Sequence, residues 1–115
     1  MQVHLWGGEV TLMLPPAPGR GGRNQQLALR LAVAIDGPAQ AAALCAGTDG
    51  TDGPTEDAGG LVDNLTLARG RAADLSAADH LQRADAGSFL EATGDLISTG
   101  PTGTNVTDIV MAWRA

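Results

Sequence analysis

The chain has 115 residues, a net charge of −6 and no lysine. Without lysine there is no Walker-type phosphate loop and no lysine Schiff base, and the acidic charge excludes the basic footprint of a nucleic-acid-binding protein. The single cysteine allows no internal disulfide, and no apolar run approaches the roughly 18 residues of a membrane span. We expect a cytoplasmic protein that binds neither nucleic acid nor membrane.

The apolar composition predicts one domain, residues 1–115, with a thin core. Alanine contributes 20 residues and leucine 14, while only three residues are aromatic. Because a buried alanine removes little apolar area from water, few side chains stabilise such a core strongly. We therefore expect one face to be completed by another domain or by a second copy of the chain.

Hydrophobic periodicity and Gly/Pro punctuation predict alternating strands and helices. The predicted strands cover residues 3–6, 9–14, 41–46, 95–98 and 106–113. The predicted helices cover residues 25–35, 65–75, 77–83 and 87–93. Asn24 and Ser76 are the expected N-caps of the first and third helices. The continuous apolar run at 41–46 favours an interior strand, so we predict an α/β layered sandwich with a mixed, mostly parallel sheet flanked by helices.

Three loops rich in glycine and polar residues stand between these elements. The first, residues 19–24, holds Arg20 and Arg23 just before a helix whose positive N-terminus would favour an anion. An ordinary surface turn with solubilising arginines is the alternative. The third loop, residues 98–108, is rich in threonine and is either a phosphate nest or a polar turn.

The second loop, residues 47–57, contains four carboxylates and follows the predicted interior strand. Ligands of α/β sheets bind beyond the carboxyl ends of such strands. Oxygen ligands suit Mg²⁺ or Ca²⁺, but the spacing is not that of an EF-hand, and binding of a substrate hydroxyl is an equal alternative. Outside the loops, His4 is expected in a strand and His80 on a solvated helix.

Four motifs in series carry a resemblance. They are residues 7–9 (GGE), 19–25 (GRGGRNQ), 46–54 (AGTDGTDGP) and 99–106 (TGPTGTNV). Together they resemble the MOFRL domain, the C-terminal part of the glycerate 2-kinases, some of which are labelled hydroxypyruvate reductase. Two positions depart from the family pattern: Gln26 stands where Glu is usual, and Thr107 where Asn is frequent.

The resemblance implies ATP-dependent phosphorylation of D-glycerate to 2-phosphoglycerate with Mg²⁺. It also implies an N-terminal α/β kinase domain, absent from this chain, with the active site between the two domains. The implied catalytic residues are Arg23, Asp49 and Asp52, and the two aspartates are also the candidate metal ligands. The implied substrate- and phosphate-binding residues are Arg20, Gly21, Gly22, Asn24, Thr48, Thr102, Thr104 and Asn105.

Two other functions stay open at this point. One is the reductase label taken literally, although the chain lacks the Gly-x-Gly-x-x-Gly fingerprint of a dinucleotide site. The other is a non-catalytic module that only docks on a partner chain. In every case we expect the isolated chain to be catalytically inactive.

Overall fold

The computed structural model describes residues 2–8 and 14–115. Its strands are β1 (Gln2–Gly8), β2 (Ala41–Gly47), β3 (Gly59–Asp63), β4 (Leu96–Ile97) and β5 (Asp108–Arg114). Its helices are α1 (Arg23–Ile35), α2 (Thr66–Ala72), α3 (Ala77–Gln82) and α4 (Ala86–Thr93). Within that part of the chain the strands form one sheet in the order β1-β5-β2-β3-β4.

The α/β class is confirmed, but the mostly parallel sheet is wrong. Every neighbouring pair of strands in this sheet is antiparallel. A parallel pair needs a long crossover, usually a helix, whereas the connection from β2 to β3 (residues 48–58) contains no helix. The apolar run of β2 suggested a parallel strand because both of its faces are apolar.

The helices form a layer against one face of the sheet. α1 lies on β2 and β3, α4 contacts α1 and β4, and the two shorter helices pack on this pair. The core between the layers is small, and its largest buried side chains are Phe89, Leu29 and Leu90. Gly70 is required beside it, because a Cβ there would lie 2.2 Å from the Phe89 ring.

Local expectations are met in part. Ser76 caps α3 as predicted, since its hydroxyl accepts a hydrogen bond from the Asp79 amide at 3.2 Å. The solvated position of His80 is wrong: its ring is buried edge-on against Phe89, and Nδ1 lies 2.8 Å from the Ser76 carbonyl oxygen. The helix predicted at 25–35 is present as α1, and its outer side is open to solvent, where Val33 is 48% exposed.

No strand was predicted at β3, whose first two residues are glycines. The strand expected at 9–14 lies mostly outside the described residues, and Leu14, which is described, is not in a strand.

Candidate functional site

All three glycine-rich loops meet at one end of the sheet. Gly8 of β1 and Gly47 of β2 both pair with Asp108, the first residue of β5, so these strand ends lie side by side. The second loop also contacts the other two. A Cβ at Gly53 would lie 3.3 Å from Gly22, and one at Gly50 would lie 2.1 Å from the Gly100 carbonyl oxygen. The three loops therefore converge at this end of the sheet.

Asp52 lies beneath the loops, fully buried at the N-terminus of α1. One of its oxygens accepts a hydrogen bond from the Asn24 amide and the other from the Gln25 amide, both at 2.8 Å. The prediction of Asn24 as the N-cap is thus wrong: Gly22 takes that position, and Asp52 binds the exposed amides from a distant loop. Burial raises the pKa of Asp52, against the opposing effect of these hydrogen bonds.

The helix N-terminus, predicted to attract an external anion, is therefore already bound by an anion of the chain itself. The two amides that a phosphate would use are engaged by Asp52. Gly22 makes this approach feasible, because a Cβ there would lie 2.3 Å from the Asp52 carbonyl oxygen. In this structure Asp52 positions α1 rather than facing the cleft.

Arg23, the first residue of α1, makes a double hydrogen bond with Asp108. Its Nε and one terminal nitrogen each lie 2.7 Å from a carboxylate oxygen. The Asp108 side chain is 1% exposed and that of Arg23 is 31% exposed, so the pair reaches from the interior to the surface. The Asn24 side-chain amide joins both acids, donating to Asp108 at 3.0 Å and to Asp52 at 3.3 Å.

Sequence reasoning missed Asp108 as a functional residue. The signal was its place, since it is the single carboxylate of the third loop and directly precedes the apolar residues 109–113. Nothing local indicated a partner 85 positions away.

Asp49, by contrast, lies at the surface of the second loop. One of its oxygens accepts hydrogen bonds from the amide and the hydroxyl of Thr51, both at 3.0 Å. The bond from the Thr51 amide, followed by the bond from the Thr51 hydroxyl, holds the pKa of Asp49 below its ordinary value. The charge of Arg23 acts in the same direction. Asp49 is thus an ionised carboxylate that interacts electrostatically with Arg23.

Thr48 and Thr102 join the second and third loops. The Thr48 hydroxyl donates to the Thr107 carbonyl and accepts from the Val106 amide, both at 2.8 Å. The Thr102 hydroxyl donates to the Thr48 carbonyl at 2.5 Å. These contacts give both threonines a role in loop shape. Thr104 and Asn105 are exposed on the same loop, and the Asn105 side-chain oxygen accepts a hydrogen bond from the Thr107 amide at 3.2 Å.

Arg20 points to a different side of the first loop. Its guanidinium forms ion pairs with Glu91 and with Asp57, the latter at 3.0 Å. The hydrogen bonds to Asp57, first, and to Glu91 raise the pKa of Arg20. Its amide donates to the buried Asp85 at 2.8 Å. Asp85, another residue that sequence reasoning missed, thereby anchors the loop that leads into Arg23.

An open cleft lies where the first and second loops meet. It is lined by Leu14, Pro18, Gly19, Gly21, Gly22, Arg23, Gly53 and Pro54. Both predicted phosphate-binding glycines, Gly21 and Gly22, therefore share a surface with Arg23. A small anionic ligand here would meet the backbone of the glycines and the guanidinium of Arg23, which Asp108 holds in place.

The described residues do not build a metal site of their own. Across 2–8 and 14–115, no three His, Cys, Asp or Glu side chains come together as metal ligands would. Both Asp52 oxygens are engaged by α1, so the pairing of Asp49 with Asp52 around Mg²⁺ stays a prediction without support from the geometry. Nor does any helix in these ranges reach the length and apolarity that crossing a membrane requires.

Comparison with known proteins gives consistent matches. A family model described as the MOFRL family matches residues 2–108. The D-glycerate 2-kinase of Thermotoga maritima is 44% identical over 107 residues, which cover 93% of this chain and 25% of that protein. The glycerate kinase of Homo sapiens is 43% identical over 111 residues, covering 90% of this chain and 21% of that protein.

A second label occurs among the relatives: a putative hydroxypyruvate reductase of Agrobacterium vitis is 44% identical over 108 residues, covering 93% of this chain and 25% of that protein. Among solved structures, a crystal structure of glycerate kinase from Thermotoga maritima superposes with a TM-score of 0.94 at 41% identity. The match covers 98% of this chain and 27% of that one. The chain therefore spans about a quarter of the length of these proteins.

Proposed function

Because the chain belongs to the MOFRL family, we propose that it works as one domain of a D-glycerate 2-kinase. The reaction transfers the terminal phosphoryl group of ATP to the 2-hydroxyl of D-glycerate. The relatives named D-glycerate 2-kinase and glycerate kinase support the activity. The observation that carries the domain's role is the Arg23–Asp108 pair, held at the place where the three loops meet.

Arg23 is the residue that we assign to the anionic substrate. Asp108 and the start of α1 fix the plane of its guanidinium before any ligand arrives. A fixed, partly exposed guanidinium binds a carboxylate or phosphoryl oxygens without reorganising, and such preorganised charge is a principal source of transition-state stabilisation. Arg23 would hold the glycerate carboxylate or the oxygens of the transferring group.

Asp49 is assigned to the acceptor hydroxyl. Its lowered pKa keeps it ionised, which suits a hydrogen-bond acceptor better than a strong general base. In phosphoryl transfer the protein contributes chiefly alignment and charge stabilisation, so orienting the hydroxyl is the larger task. Asp52 and Asp108 are positioning residues, because Asp52 binds the first amides of α1 and Asp108 binds Arg23. Asn24 is a third, because its side-chain amide joins these two carboxylates.

Charge balance explains why we expect the isolated chain to be inactive. At the N-terminus of α1 the structure gathers the carboxylates Asp49, Asp52 and Asp108 around the guanidinium of Arg23. Glycerate and ATP are themselves anionic, so further positive charge must come from outside these residues. We propose that the N-terminal kinase domain supplies it, with the ATP site.

Mg²⁺ accompanies ATP in phosphoryl transfer and neutralises charge on the phosphates when bound. The described residues of this chain do not fit a dedicated Mg²⁺ site, since no three metal-ligating side chains converge in 2–8 and 14–115. We therefore assign the metal to the nucleotide and the N-terminal domain, and no step to a metal held by Asp49 and Asp52.

A hybrid kinase tests the proposal. In it, residues 1–115 replace the matching quarter of the Thermotoga maritima D-glycerate 2-kinase, to which they are 44% identical. We expect ATP-dependent formation of 2-phosphoglycerate by the folded hybrid, and none by the isolated chain or by the kinase lacking that quarter.

The same preparation decides between kinase and reductase, the alternative that the Agrobacterium vitis relative's name keeps open. NADH oxidation with hydroxypyruvate, without ATP consumption on glycerate, would establish the reductase. A folded hybrid that catalyses neither reaction would favour the non-catalytic docking module.

A further inference from the structure

The sheet face turned away from the helices is apolar across four strands. Leu5, Met111, Leu44 and Leu61 form one row, because each is paired with the next in the strand register. Leu5 is 64% exposed, Leu61 51% and Met111 38%. Val3 and Trp113 continue the surface in the neighbouring row. We call these six residues the open sheet face.

The open sheet face is not composed like a surface that meets water. An antiparallel sheet with one solvated face alternates apolar and polar residues along its strands. β2 has the sequence AAALCAG, so neither of its faces carries a polar side chain. Among the described strand residues whose side chains share this face, Asp63 at the margin is the charged one. Continuous exposed apolar area of this kind marks a contact surface.

Two observations indicate what covers it. The relatives are about four times as long as this chain, and the solved kinase contains the same fold as 27% of its length. In addition, the three loops lie at one end of this same sheet, where the site gathers more carboxylates than cations. A layer packed on the open sheet face ends beside those loops and can carry cationic groups to them.

A second copy of the chain fits less well. It brings the same net charge of −6 and no lysine, so it adds to the negative charge near the loops.

We propose that the open sheet face is the surface on which the N-terminal kinase domain docks, through an apolar layer of its own. The proposal rests on the proposed function, because the partner is the remainder of that kinase. Docking there completes the core on its second side and places the partner's edge next to Arg23 and Asp49. The residues that make the interface, Leu5, Leu44, Leu61 and Met111, take no part in binding substrate.

Site-specific oxidation of Met111 tests the docking without using activity. A methionine thioether reacts with hydrogen peroxide at a rate that follows its exposure. We expect Met111 to be oxidised about tenfold more slowly in the hybrid kinase than in the monomeric isolated chain. The matched control is Val33→Met on α1, at a position 48% exposed on the helical side. Its oxidation rate should be equal in both proteins.

Three outcomes would overturn the proposal. Equal Met111 oxidation in the isolated chain and the folded hybrid would show that the face stays open. Protection that disappears when the hybrid is diluted would assign the face to a second copy. Protection of both methionines alike would indicate general shielding. A hybrid that loses kinase activity but keeps selective protection of Met111 would contradict the proposed function and leave the docking surface intact.

A second arm covers a hybrid that does not fold. The isolated chain is mixed with the Thermotoga maritima kinase lacking its matching quarter, and complex formation is followed by size-exclusion chromatography. The wild-type chain and Val33→Glu should bind, whereas Leu61→Glu and Met111→Glu should not. Failure of the wild-type chain to bind a folded partner, or binding by all four proteins, would refute the proposal.

Discussion

Replacing Asp108 by asparagine is the sharpest structural perturbation that the site offers. Asp108 accepts two hydrogen bonds from Arg23 at 2.7 Å and one from Asn24 at 3.0 Å. Asparagine keeps the shape but puts an NH₂ group where an acceptor is needed, so at least one charge-assisted bond is lost, worth about 1.5–3 kcal/mol. Arg23 also loses its buried counter-charge, partly offset by water because its side chain is 31% exposed. We expect a loss of about 2–4 kcal/mol in the free energy of unfolding.

Urea unfolding and thermal melting of the 115-residue chain measure this cost, which corresponds to a fall in Tm of roughly 4 °C per kcal/mol. Asp79→Asn is the matched control. Asp79 also receives two hydrogen bonds from one arginine, Arg83, but the two side chains are 55% and 49% exposed. Its replacement should leave the free energy of unfolding nearly unchanged, because water and salt screen an exposed ion pair. Equal effects of the two substitutions would refute the argument from burial.

Two further predictions concern the shape of the loops. Burial opposes ionisation of Asp85, but the Ser88 hydroxyl and the Arg20 amide donate hydrogen bonds to its carboxylate, and its pKa is lowered. The ionised carboxylate therefore stabilises the folded chain above the ordinary carboxyl pKa. This stabilisation is lost as the pH falls through the pKa of the folded state. Asp85→Asn should therefore cost about 1–3 kcal/mol at pH 7, and urea titrations should show this cost shrinking below about pH 4; a constant difference would contradict the assignment. Gly22→Ala should destabilise the chain by about 1–3 kcal/mol, because the new Cβ would collide with the Asp52 backbone. Gly7→Ala is the control, since only one atom lies within 4 Å of its new Cβ, at 3.9 Å. It should leave the free energy of unfolding nearly unchanged in the same thermal melts.

Local signals predicted the features that depend on neighbours in sequence. Ser76 could be predicted as the N-cap of α3 from its residue type and its place before the helix, and its hydroxyl accepts a hydrogen bond from the backbone amide three positions on. The loops were recognisable from glycine, which allows close approaches such as that of Gly50 to Gly100.

Features that depend on distant pairing were not predictable in the same way. An apolar strand such as β2 has the same composition in a parallel and in an antiparallel sheet, so its direction was misjudged. The trans cap of α1 by Asp52 spans 27 and 28 positions, and the Arg23–Asp108 pair spans 85. The residues next to a carboxylate do not show whether it caps a distant helix or binds a metal. For this reason Asp52 was predicted as a metal ligand.

The most direct measurement of the central claim is the kcat/KM of the hybrid kinase carrying Arg23→Ala, with ATP and D-glycerate. If a guanidinium fixed by Asp108 stabilises charge in the transition state, kcat/KM should fall by about 100-fold or more while the hybrid stays folded. Arg30→Ala, which removes an exposed arginine from the same helix, should leave it unchanged. A folded Arg23→Ala hybrid with wild-type kcat/KM would contradict the assignment of Arg23 to the site.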